Sequence, residues 1–242
     1  MAEWINGIMP NVVAYWDKFT ESCSATVQMF LISGIFVLLF GFAFGVILTV
    51  TKKGGLWENA VVYQIVDKLT NVFRSIPFLI LLIFLIPLTR IIVGTAIGVR
   101  GAIVPLIFGA VPFFTRQVEV ALAGVSKGKI EAATAMGSSK VGIIFRVYLH
   151  EAVPDLIRVI TVTAISLIGL TTMAGAVGAG GIGSFAINYG QNLHHNDIVD
   201  VCVVALLIVI SLLQSAGNIF SKKTTNRKLF SRKKENKKEK AL

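Results

Sequence analysis

Side chains able to carry chemistry are sparse in this chain, and the few clusters do not converge on a reaction. His194 and His195 beside Asp197 offer three possible metal ligands, but a solvated loop accounts for the same residues. Gly178-x-Gly180-x-x-Gly183 has the letters of a dinucleotide fingerprint. That fingerprint works only between the strand and helix of a βαβ unit, and here the preceding run is apolar and helix-like. These glycines read better as permissive backbone that allows close helix approach and unusual dihedral angles. Cys23 and Cys202 match neither a disulfide framework nor a metal spacing, so free thiols on apolar faces are expected. Arg116 with Glu119 and Asp155 with Arg158 are three residues apart, so each pair can neutralise itself on one helix face. Structural pairing and a gating role are both open for them. Met173 leads into the glycines, where a flexible apolar side chain suits either ordinary packing or a gate that closes by contact. A channel would need a selectivity ring, and an intramembrane enzyme a nucleophile–base pair; neither is evident. There is no Walker sequence, so ATP hydrolysis by the chain itself is not expected.

The elements that must position these residues are membrane helices. Hydrophobic residues make up 55% of the 242 and charged residues only 15%, with a mean hydropathy of +0.76. Soluble domains carry about 25% charge, so this chain lacks the polar surface to cover itself in water. Five apolar runs, 24–50, 69–88, 97–118, 159–177 and 201–220, predict an all-α membrane protein with five transmembrane helices. The second run is long enough only if extended back to residue 69, with Arg74 reaching toward the interface. No cleavable leader is expected at the N-terminus. Trp4, Ile8, Val12, Tyr15, Trp16 and Phe19 recur at helical spacing, so residues 1–23 read as a surface segment that Pro10 divides into two pieces.

Orientation follows from charge. Ten of the 23 Lys and Arg residues lie after Ser221, on the same side as Lys52, Lys53, Lys68, Lys127, Lys129, Lys140 and Arg146. The other side holds Lys18, Arg90 and Arg100, and none between 179 and 197. The excess places the N-terminus outside and the C-terminus in the cytoplasm. The basic tail, 221–242, is expected to be disordered and free to touch anionic lipid. Because the charge is concentrated there, it gives no sign of a nucleic-acid partner.

The largest cytoplasmic loop, 121–154, is the informative one. Glu131 to Met136 favour a short helix that Gly137 can end in the left-handed conformation. Ser138 or Ser139 can cap a second helix with Val141, Ile144, Phe145 and Tyr148 along one face. Such a two-helix knob suits docking into another protein's groove, or lying on the bilayer. Its residues also resemble a specific signature. Glu131-Ala132-Ala133, Gly137, Val147 and Leu149 fall at the spacing of the EAA motif of ABC-importer permeases. His150 stands where that family usually has Pro, and Pro154 is the nearest substitute for the missing break. Residues 71–78, 92–95, 114–119 and 173–183, with Tyr189-Gly190, are similar to segments of methionine-importer permeases, and the likeness runs over roughly 20–217.

The resemblance implies the type I ABC-importer permease architecture and a pathway for an amino acid, with methionine the first candidate and another small substrate the alternative. It implies a homodimer, with separate ATPase subunits carrying ATP and Mg at the coupling loop. An extracytoplasmic substrate-binding protein would dock on the outer side. The same resemblance makes Glu131, Ala132, Ala133 and Gly137 the ATPase-docking residues. Met173, Gly175 and Gly178 are the candidate gate or pathway residues. Cofactors on this chain itself are not expected.

Overall fold

The computed structural model describes residues 9–239, with side chains described as far as 225. Among these residues every regular element is helical. Two long helices form the centre, α2 (Trp16–Thr51) and α6 (Gly98–Ala123), and they run in parallel. Their packing depends on two glycines. A Cβ at Gly41 would stand 2.6 Å from Phe114, and one at Gly45 2.6 Å from Val118. Lipid tails are as apolar as leucine, so helices in a bilayer associate through such close van der Waals contact rather than through the hydrophobic effect. Phe114, Val118, Leu106 and Met29 are accordingly sealed inside the same core.

The stretch expected to form the second span is not one helix. It is three: α3 (Ala60–Ser75), α4 (Phe78–Phe84) and α5 (Ile86–Val93). Asn59 caps the first, its side chain accepting from the Val61 and Val62 amides at 3.1 Å. Ile76 and Pro77 then adopt extended ψ values of 123° and 134°, because the residue before a proline is driven out of the helical region. Gly94, with φ of 79°, ends α5. Among the described residues, four helices are therefore long and apolar enough to cross a membrane singly: Trp16–Thr51, Gly98–Ala123, Lys140–Ala179 and Asn196–Thr225.

Beyond α6 come α7 (Lys127–Ala135), α8 (Lys140–Ile143), a π-type turn over Ile144–Leu149, and α9 (His150–Ala174). The fourth run is thus far longer than 159–177. It begins at Lys140 in the coupling loop and passes straight through His150 and Pro154. The π turn absorbs the irregularity within the helix, so no break follows Leu149. A kinked segment, Gly175–Ala179, leads to α10 (Gly181–Phe185), a π-type turn over Ala186–Gln191, and α11 (Asn196–Glu239). α11 packs antiparallel to α9, where Gly217 leaves room for Thr161 and the Ser221 hydroxyl donates to the Pro154 carbonyl at 3.2 Å. The tail expected to be disordered continues α11 as helix to Glu239.

The N-terminal segment also differs from expectation. Pro10 starts α1 (Pro10–Ala14) at its first turn, where a missing N–H costs nothing, and the break falls at Tyr15. The helix that holds the first apolar run, 24–50, then opens at Trp16. α1 buries Val12 against Ile182, Phe185, Ile198 and Cys202. Asn11 clamps it in place, its amide and side-chain nitrogen donating to the Asp197 carboxylate at 2.9 and 3.0 Å. Trp4 and Ile8 lie outside the described residues.

Candidate functional site

The loop 121–154 forms the corner that its residues predict. α7 ends in a complete Schellman arrangement: the Gly137 amide donates to the Thr134 carbonyl and the Ser138 amide to the Ala133 carbonyl, both at 3.0 Å. Gly137 makes this possible with φ of 76°. Ser139 is the residue that caps α8, accepting from the Gly142 amide at 3.1 Å. Of the docking candidates, Glu131, Ala132 and Gly137 are exposed, whereas Ala133 is buried in the core that holds Ile143 and Tyr148. The expected apolar face of the second helix is split. Ile144 and Tyr148 turn inward, while Val141 and Phe145 remain exposed. With Met136, 78% exposed at the corner, Val141 and Phe145 (51% and 65%) make the knob's outer surface apolar. An ion pair absent from the sequence reading, Lys129 to Glu151 at 2.7 Å, ties α7 to the start of α9. Such a pair is invisible beforehand because twenty-two residues separate the partners, without a helix period to link them.

At the opposite end of α9, the glycine-rich stretch folds back on the helix it follows. A Cβ on Gly175 would lie 2.7 Å from the Gly180 carbonyl and from the Ser184 amide, and one on Gly183 would collide with the Thr172 carbonyl. Gly178, Gly180 and Gly181 all take positive φ, 95°, 80° and 81°, which side chains resist. The hairpin is pinned to α2, where the Thr26 hydroxyl accepts from the buried Ile182 amide at 2.8 Å. Met173 and Gly178 are exposed and Gly175 is buried. Val162, Ser166, Gly169 and Met173 share an uncovered stripe of α9.

The histidines beside Asp197 do not assemble as ligands. His194 takes a left-handed φ of 57°, His195 lies against the Tyr15 ring at 6.1 Å, and Asp197 is occupied by Asn11. Cys23 and Cys202 are free and share the apolar cluster around Phe185. Arg116 pairs with Glu119 at 2.6 Å as its spacing suggests. It also bonds Asp67, and Asn71 at 3.0 Å, so one guanidinium ties α3 to α6. Arg158 and Asp155 pair at 3.1 Å on an exposed face.

This arrangement has known counterparts. The probable D-methionine transport permease MetI of Vibrio cholerae is 39% identical over 90% of this chain and 99% of its own length. The methionine import permease MetP of Bacillus subtilis is 45% identical over 72% of this chain and 79% of its own. A solved inward-facing structure of the MetNI methionine ABC transporter superposes with a TM-score of 0.81 at 41% identity. It covers 93% of this chain and 99% of that one. Residues 41–226 match the family described as binding-protein-dependent transport system inner membrane components. The chain belongs to that family of transport permeases.

Proposed function

We propose that this chain is the permease subunit of an ATP-driven importer for methionine, working as a homodimer in a bacterial cell membrane. The observation that carries the reading is similarity at nearly full length: 99% of the Vibrio cholerae D-methionine permease is matched, including the coupling loop and the glycine-rich hairpin. Residues 24–220 would form the transmembrane domain. The three helices α3, α4 and α5 would together supply the second of five crossings, with the N-terminus outside and residues 221–242 in the cytoplasm near anionic lipid.

The geometry suggests how work is transmitted. Glu131, Ala132 and Gly137, with the apolar corner at Met136, form the surface offered to the ATPase partner, which holds ATP and Mg. Ala133 acts from beneath by seating α7 on the core. The helix that begins at Lys140 runs to Ala174, where the kinked Gly175–Ala179 segment takes over. At about 1.5 Å per residue it is a rod of roughly 50 Å. Displacement of the knob is carried as rigid-body motion to Met173, Gly175 and Gly178 at the other end, and the Lys129–Glu151 pair holds α7 to the rod. Met173 would close the path by contact, and the substrate-binding protein would deliver solute above it.

The test is uptake of labelled methionine by cells with and without the gene for this chain, with other amino acids as competitors. Loss of methionine uptake on deletion supports the reading. Intact methionine uptake with loss of another solute moves the substrate and leaves the mechanism standing.

A further inference from the structure

A cavity of about 320 Å³ lies where α3 gives way to α4, bounded by α6 and α9 and open on the face where Arg74 and Ser166 are exposed. Phe73, Phe78, Phe113 and Leu170 supply apolar walls, and the polar side chains are Arg74 and Ser166. The framing helices fix its depth. Gly109 and Ala110 line it at the middle of α6 (Gly98–Ala123), and Ser166 lines it in the body of α9 (His150–Ala174). Arg74 lies level with these mid-helix residues, although its place in the sequence reads as that of an interfacial anchor. Unlike Arg116, it makes no ion pair among the described residues. A second cavity of the same size, between α2, α3 and α6, is lined by Phe40, Phe44, Phe108 and other apolar groups with two threonines and no charge.

An unpaired guanidinium between spanning helices is costly unless it faces water or a polar solute, and such residues mark pathways. Backbone that leaves the helix at membrane depth is tolerated only where it lines a cavity, and Ile76–Pro77 breaks the helix at this wall. We propose that this cavity is a transient substrate site on the translocation path, in which Arg74 holds the carboxylate of an amino acid while the aromatic walls hold its apolar side chain. The guanidinium fork matches a carboxylate through two parallel hydrogen bonds, and a thioether packs well against aromatic rings. Gly109 keeps the wall thin, since a Cβ there would stand 2.9 Å from the Phe78 ring. This assignment rests on the importer reading and adds a named contact to it.

The experiment uses proteoliposomes holding the permease and its ATPase subunits, with the binding protein added. Uptake and ATP hydrolysis are measured in the same vesicles. The wild-type arm, run across labelled amino acids, bears on the importer reading alone, and the variants are compared on whichever amino acid the wild type carries. Arg74→Gln is expected to lower uptake at least tenfold and to lower the solute carried per ATP. Hydrolysis should stay within twofold and the complex should elute unchanged. Arg74→Lys, which keeps the charge, should recover much of the uptake. Wild-type uptake per ATP in Arg74→Gln overturns the proposal. So does dissociation of the Arg74→Gln complex, which would make Arg74 an intersubunit cation.

Discussion

Gly137 shows how much one residue carries at the coupling corner. Its positive φ allows two amides to satisfy the last carbonyls of α7, and a β-branched side chain there costs about 1–2 kcal/mol. Gly137→Val is expected to reduce the ATPase retained on affinity-purified permease and to reduce transport, with normal protein levels in the membrane. Full retention with full transport would remove the loop from the coupling role. Ala133→Leu tests the same corner from beneath. Overpacking a sealed site costs about 1–3 kcal/mol, so this variant should lose ATPase retention although Ala133 itself is buried. The Schellman corner was legible in the sequence because every bond in it is local. The Lys129–Glu151 pair and the Asp67–Arg116 contact were not, since both join residues that only the fold brings together.

At the scale of elements, the sequence located the long apolar helices well and their ends poorly. An uncharged run marks where lipid is, but a helix continues past lipid wherever its backbone stays satisfied, as α2 does back to Trp16 and α9 does down to Lys140. The second run failed for a different reason. Hydropathy sees Ile76–Leu88 as continuous, whereas Pro77 fixes extended backbone in its path. The break leaves α3 with a polar face, and Arg116 holds that face to α6 through Asp67 and Asn71. Arg116→Met should leave Asp67 and Glu119 uncompensated. Breaking a buried pair costs about 3–5 kcal/mol, and the 19% exposure of this side chain puts the expected loss below that range. Asp67→Asn, which keeps a polar partner for the guanidinium, should be milder. Thermal unfolding of the two variants in detergent checks the order; equal midpoints would mean that the network does not hold α3.

Taken whole, the molecule has two differently built ends. At one, Asn11–Asp197 binds α1 to the start of α11, and Thr26–Ile182 binds the glycine-rich hairpin to α2. At the other, the coupling corner projects beyond the Ser221–Pro154 contact. The antiparallel pairing of α9 with α11 sets Asn192 and Ser138 at opposite ends, and both are exposed. The Lys and Arg bias leads us to propose that the corner is the cytoplasmic end. A single cysteine at Asn192 should therefore react with a membrane-impermeant maleimide in intact cells. One at Ser138 should react only after permeabilisation; its side chain is free because only its backbone amide serves the corner. The background must lack both native thiols. Cys202 is 2% exposed in the apolar cluster, so alanine is the better replacement there than a hydroxyl left without a partner. Labelling of both positions from the same side would break the link between helix pairing and orientation, and with it the placing of the ATPase at the corner.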